Sequence, residues 1–300
     1  MQSLPLVISL VIAAGVVSPV CRSLVELGLT QKNYRGTPVA FPAGIVIVIA
    51  AFLALVPLSL LAELAGSDVF RPGVETALIY VTGVALLGLL DDLIGSGVLV
   101  RGRRREAEEG EGAPAPPPPT VPRGWRGHAR AILSGRLSTG VLKALGSLGL
   151  ALFVLRDSGR TKPEYLLAVA LVVLTTNLFN LLDLRPGRSA KALVLLGTLL
   201  TVASTDVNPL WALGLFVGPI VALLPLDLRE RGMLGDTGSN AIGAVAGLWL
   251  VLTLSTAAQA IALGIVLLIT VYGEFRSISA LIDRTPGLRH LDSLGRISHA

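Results

Sequence analysis

The chain has 300 residues, of which 52% are hydrophobic and only 15% charged, with a net charge of +5 and a mean hydropathy of +0.73. Soluble chains run near a quarter charged, so this composition excludes an ordinary soluble domain. Cys21 is the single cysteine, which excludes an internal disulfide framework, and histidines at 128, 290 and 299 lie too far apart for a zinc-spaced cluster.

Apolar blocks fall at 4–21, 39–62, 74–90, 138–155, 164–182, 192–204, 209–227, 240–254 and 257–273. A bilayer core about 30 Å thick takes about 20 such residues per helix. The blocks lack strict alternation, so they predict helices rather than barrel strands. The expected fold is therefore all-α: a polytopic integral membrane protein with about nine transmembrane helices, the sixth and eighth being the shortest. No basic residue precedes the first block, so Leu4–Cys21 reads as a membrane helix and not as a cleaved leader.

Lysine and arginine set the expected orientation. One set of loops carries Arg22, Lys32, Arg35, the arginines between 101 and 136, Arg185, Arg188, Lys191, Arg229, Arg231 and the tail arginines. The opposite loops carry only Arg71, Arg156, Arg160 and Lys162. The positive-inside rule then places the N-terminus outside and the C-terminus in the cytosol of a multi-pass plasma-membrane protein. The basic excess suits this topology and anionic lipid, so no nucleic-acid partner is expected.

The chain reads as one membrane domain over 1–300, with two special segments. Residues 101–123, RGRRREAEEGEGAPAPPPPTVPR, have charge blocks and a proline run that bury no core, so they predict a solvated cytosolic insertion. In 275–297, Phe275, Ile278 and Leu281 recur at helical spacing, as do Leu288, Leu291 and Leu294 beyond Pro286. With arginines between them they predict an amphipathic helix pair on the cytosolic interface.

Carboxylates in apolar surroundings are costly, which makes them the first functional candidates. Asp91 and Asp92 close the third block in LLGLLDDLIG, Asp183 closes the fifth in NLFNLLDLRPG, Asp227 ends the seventh, and Asp236 lies in MLGDTGSN before the eighth. These segments deliver acids to one face, which points to a single cytosolic site. The Asp91–Asp92 pair invites Mg²⁺ or proton sharing, with a polar helix end as the plain alternative. Asn177, Asn180 and Asp183 form one stripe that can bind a ribose, base or phosphate, or else bind neighbouring helices. Gly235, Asp236, Thr237 and Ser239 form a turn into a helix, fit to receive an anion, or simply a helix cap. Lys143 reaches either headgroups or a phosphate near the acids. Arg35 follows the first block and is placed to contact phosphate or lipid, and His290 sits on the tail as a surface residue.

The order of these motifs resembles the polyprenyl-phosphate N-acetylhexosamine-1-phosphate transferase family, which includes the phospho-N-acetylmuramoyl-pentapeptide transferases. KNYRGTPVAFPAG is similar to its first cytosolic turn, DDLIG to its aspartate pair, and GHARAILSGRLSTGVLK to the segment ending in a family lysine. NLFNLLD and LGDTGS resemble its asparagine–aspartate and glycine–aspartate motifs. The resemblance runs from about Asn33 to Arg296. It implies an Mg²⁺-dependent enzyme, with Mn²⁺ as substitute, that moves a sugar-1-phosphate from a UDP-sugar to undecaprenyl phosphate and releases UMP in cell-envelope glycan synthesis. Carried over, Asp236 and Asp92 would be metal ligands, and Asp91, Asp92, Asp183 and Lys143 catalytic groups. Asn177, Asn180, Arg35, Gly235, Thr237, Ser239 and His290 would line the substrates. Implied partners are a polyprenyl phosphate lipid, a nucleotide sugar, the membrane and a second copy in a homodimer. Four features depart from the family pattern: Pro186 stands where a second aspartate is expected, Met233 replaces an aromatic, the histidine-rich loop is reduced to RHLDSLGR, and no block corresponds to the last membrane helix of the pentapeptide transferases. The alternative reading is a non-catalytic relative that binds polyprenyl phosphate or scaffolds envelope enzymes. A transporter is the remaining class, and no internal repeat supports it.

Overall fold

The computed structural model describes residues 1–66, 68–95 and 139–297. The expectation for 101–123, and the part of GHARAILSGRLSTGVLK before Thr139, lie outside the described residues. The helices are α1 (Leu4–Glu26), α2 (Ile45–Ala65), α3 (Val74–Leu90), α4 (Thr139–Leu155), α5 (Lys162–Leu182) and α6 (Arg188–Ser204). They continue as α7 (Asn208–Leu228), α8 (Gly235–Thr253), α9 (Thr256–Phe275), α10 (Ile278–Arg284) and α11 (Pro286–Ser293).

Six of these helices are long and apolar enough to cross a membrane, namely α1, α2, α3 with its extension to Ile94, α5, α7 and α9. The blocks at 138–155 and 192–204 form helices of 17 residues each, and the block at 240–254 lies in the 19-residue α8. The fold is thus nearly all-α and suited to a bilayer: α9 exposes Ile261, Ile265, Leu268 and Phe275 to its surroundings. Among the described residues, β1 (Thr30–Lys32) and β2 (Pro38–Ala40) form an antiparallel ribbon, paired Thr30 to Ala40. This corrects the start of the second block: Val39 and Ala40 belong to β2, and α2 begins only at Ile45.

Local chemistry sets several helix ends. Thr161 and Glu164 form a reciprocal capping box at the start of α5, and Ser255 accepts from the Ala258 N–H to start α9. Gly66 closes α2 in the left-handed region that glycine enters without steric cost. Ser277 begins a new helix after Phe275, so the tail's apolar residues divide between the end of α9 and the α10–α11 pair.

The centre of the bundle is α8, whose residues from Thr237 to Val251 are all buried and which packs against α3, α5 and α6. Small residues make this approach possible. A Cβ on Gly243 would lie 2.7 Å from the Thr176 Cα, and one on Gly247 2.9 Å from the Val172 Cα. The start of α8 is sewn to the first ribbon: the Met233 N–H donates to the Ala40 carbonyl (2.9 Å), and the Ala43 N–H to the Met233 carbonyl (2.8 Å). Where α2 meets α8, a Cβ on Gly44 would fall 2.3 Å from the Gly238 Cα and 2.6 Å from the Leu234 carbonyl oxygen. Backbone cannot swing aside as a side chain can, so Gly44→Ala is expected to cost about 1–3 kcal/mol or more. Thermal unfolding in detergent checks this, with Gly15→Ala, which meets nothing within 4 Å, as the neutral control.

Candidate active site

Asp91 and Asp92 occupy a single π-helical turn, Asp91–Gly95, that extends α3. Such turns re-aim side chains, and here the two neighbouring carboxylates have separate tasks. Asp92 is buried and turned to the start of α8: it accepts from the Asp236 N–H (2.9 Å), the Thr237 N–H (2.8 Å) and the Thr237 hydroxyl (2.6 Å). It therefore caps α8 from another helix, matching a carboxylate to the positive end of the helix dipole. Thr237 and Ser239 do not cap this helix with their own side chains. The amides of residues 236 and 237, read in the sequence as open to a ligand anion, already meet an anion supplied by the chain. Gly235, at φ 69, leaves room for this: a Cβ there would lie 2.6 Å from Asp92 Oδ2.

Asp91 faces α4 instead. It accepts from the Thr139 hydroxyl, and Lys143 Nζ stands 3.7 Å from its Oδ2 while also ion-pairing with Asp236 Oδ2. Asn180, from the last turn of α5, completes the cluster. Its amide is best satisfied with the oxygen accepting from Lys143 Nζ (2.8 Å) and the nitrogen donating to Asp236 Oδ1 (3.2 Å) and Ser239 Oγ (3.1 Å). Four helices, α3, α4, α5 and α8, thus converge on one lysine and two partly accessible carboxylates.

Asp183 caps α5 beside this cluster. Burial, with the carboxylates of Asp227, Asp236 and Asp92 nearby, pushes it well above the usual carboxylate range. A raised acid binds a proton more readily folded than unfolded, so its effect on stability worsens as pH rises from about 4 towards the folded value. Asp183→Asn is therefore expected to raise stability at neutral pH by about 1 kcal/mol or more, a gain that shrinks as pH falls towards 4. Melting curves of both proteins across that range check the sign.

Other expected site residues stand apart. Asn177 is exposed and makes no hydrogen bond to the described residues, and His290 lies exposed on α11. Arg35 belongs to a second polar group on the first ribbon. Its Nε donates to Glu230 Oε1 (3.0 Å), which also accepts from the Tyr34 hydroxyl (2.8 Å), while Asn33 Nδ2 donates to Glu230 Oε2 (3.1 Å). Arg185, two residues past Asp183, places its guanidinium 4.6 Å from the centre of the Tyr34 ring. Asp227 uses its Oδ2 to accept from the Gly187 N–H (2.7 Å), which fixes the loop between α5 and α6.

Sequence reasoning passed over Thr139, Glu230 and Asp292. Asp292 receives both Nε (2.8 Å) and an NH2 nitrogen (3.0 Å) of the buried Arg188, and also Arg296 (2.7 Å). The RER and RHLD patterns held a signal for the last two, but only the fold supplies their partners.

Among the described residues no group of three or more His, Cys, Asp or Glu side chains is gathered for a metal ion. Mg²⁺ commonly takes only one or two carboxylates and completes its shell with water and substrate phosphate. Asp91 and Asp236, bridged by the Lys143 ammonium, are a donor pair of that kind. Asp92 is less suited, since both its oxygens accept from the start of α8. The chain matches no protein-family model, and no curated protein matches it.

Proposed function

We propose that this protein is a membrane phosphoglycosyl transferase: it moves a sugar-1-phosphate, N-acetylhexosamine-1-phosphate by the motif resemblance, from a UDP-sugar to a polyprenyl phosphate and releases UMP. The observation that carries this reading is the convergence of Asp91, Lys143, Asn180 and Asp236 from four helices at one end of the bundle. In this reading that end faces the cytosol, nine helices cross the plasma membrane, and the N-terminus lies outside.

The reaction needs two anionic phosphates brought together. A lipid-phosphate oxygen bonds to the β-phosphorus of the UDP-sugar as the bond to the α-phosphate oxygen breaks, and UMP leaves with that electron pair. Such chemistry depends on positioning and charge neutralisation rather than on a protein nucleophile. When bound by Asp91 and Asp236, Mg²⁺ would supply charge neutralisation at the phosphates. Lys143 shifts from its carboxylates to a phosphate oxygen, Asn180 and Ser239 hold the orientation of Asp236, and Asp92 fixes the start of α8. Asp183 and Asn177 are the nucleotide contacts that the motif resemblance implies, and Arg35 and Arg185 both stack on Tyr34.

A second reading has its own support. Lys143 neutralises Asp91 and Asp236 within the chain, and Pro186 stands where the family pattern has an acid. A non-catalytic protein that binds polyprenyl phosphate would show both features. Mass spectrometry of the lipid fraction after incubation with undecaprenyl phosphate, Mg²⁺ and a panel of UDP-sugars separates the two. A lipid-linked sugar diphosphate supports the transferase, and retained lipid phosphate with no product from any donor supports the binding protein.

A further inference from the structure

Away from the acid cluster, an apolar groove of about 420 Å³ runs between α6 and the α10–α11 pair. Leu195 forms one wall, Leu288, Leu291 and Leu294 the other, with Leu224 between them. The tail is clamped in place rather than loosely apposed. Arg188 forms its two-pronged pair with Asp292, and Lys191 Nζ donates to the carbonyls of Leu291 (3.2 Å) and Leu294 (3.2 Å). Even so, Leu195, Leu288, Leu291 and Leu294 remain exposed, so the walls are held apart with apolar surface uncovered.

The groove does not end at the tail. A second groove of about 310 Å³ along α6 and α7 shares Val194 and Thr198 with the first. On the same helix Leu195, Leu199 and Val202, at helical spacing, stay exposed and continue the apolar surface. From Lys191 to Val202 the helix rises about 16 Å, roughly half of a bilayer core about 30 Å thick. Together the two grooves extend over a length comparable with one leaflet, and the exposed Leu195, Leu199 and Val202 leave them open along one side. Arg284 and Arg289 follow the lining residues Ile282 and Leu288 within two positions of the chain, and both are exposed and in no ion pair among the described residues.

We infer that this groove holds one acyl chain of an anionic bilayer phospholipid, with its headgroup phosphate against Arg284 and Arg289. Leaflet depth and the lateral opening select a chain anchored in the bilayer, and unpaired arginines beside leucines select an anionic headgroup. The site is separate from the acid cluster and stands whether or not the chain is a transferase.

The test uses the full chain in nanodiscs of phosphatidylcholine doped with phosphatidylglycerol that carries a photoreactive group near the end of one acyl chain. Adducts are expected to concentrate on α6 around Leu195–Val202, away from α11 at the headgroup end, and to be displaced by unlabelled phosphatidylglycerol but not by phosphatidylcholine. Leu195→Trp, which fills the groove, should remove them without lowering the melting temperature. Arg284→Gln and Arg289→Gln should each weaken the preference for phosphatidylglycerol about fivefold, the equivalent of about 1 kcal/mol. Adducts equally dense on the exposed face of α9, or equal displacement by phosphatidylcholine, would overturn the assignment. So would displacement by undecaprenyl phosphate alone, or cross-links between two copies at these residues.

Discussion

Asp236→Asn is expected to lower transfer from UDP-sugar to polyprenyl phosphate by about a thousandfold or more. The residue stands where α3, α4, α5 and α8 meet, ion-paired to Lys143 and held by Asn180. Replacing the acid by its amide keeps the shape and removes the negative charge that a cation shared with two phosphates needs. The start of α8 should survive, because its amides at 236 and 237 are capped by Asp92 rather than by their own side chains. Initial rates of UMP release at saturating Mg²⁺, with an unchanged melting temperature, are the measurement. Unchanged turnover would remove Asp236 from the chemistry.

The largest expected effect on stability lies where Arg188, the first residue of α6, meets Asp292 of α11. Asp292→Ala should destabilise the protein by about 3–5 kcal/mol, because it leaves the buried Arg188 guanidinium without its two-pronged partner. Replacing both partners, Arg188→Met with Asp292→Leu, should recover most of the loss, since apolar residues of similar volume need no desolvated charge. The pair also gives a pH signature. Burial pushes the Asp292 carboxyl up, but Arg188 and Arg296 outweigh it and hold the group below its ordinary value. An acid depressed in the folded state contributes stability above about pH 4 that disappears as pH falls through the folded value. Acid-induced release of the tail, followed by protease access at α10–α11, should therefore occur in the wild type. In the double replacement it should lose its pH dependence.

The helical fold was legible in the sequence because long apolar blocks leave the backbone few alternatives in lipid. Less was legible where a contact joins distant segments. The DD pair announced itself, yet nothing local distinguishes Asp91, which faces Lys143 and Thr139, from Asp92, which caps α8. That division depends on a π-helical turn and on a helix 144 residues away. The motif at 235–240 read as an anion site only beside the other motifs, with a self-capped helix as the plain alternative. The structure supplies a third solution, since the capping oxygens come from α3. Gly44, Gly243 and Gly247 carry no chemistry and drew no attention, although their missing side chains let α2, α5 and α8 approach closely enough to form the cluster. Asp292 and Arg188, 104 residues apart, show no periodicity that pairs them before the tail folds back.

The most direct measurement is UMP release by the purified full chain in lipid nanodiscs containing undecaprenyl phosphate. It would be followed with a panel of UDP-sugars, with Mg²⁺ present or chelated. The account predicts release with at least one donor, strictly dependent on Mg²⁺ and on the lipid phosphate, and lost in Asp236→Asn. No release from any donor by folded protein that still binds the lipid phosphate would contradict the transferase reading and leave the binding protein in its place.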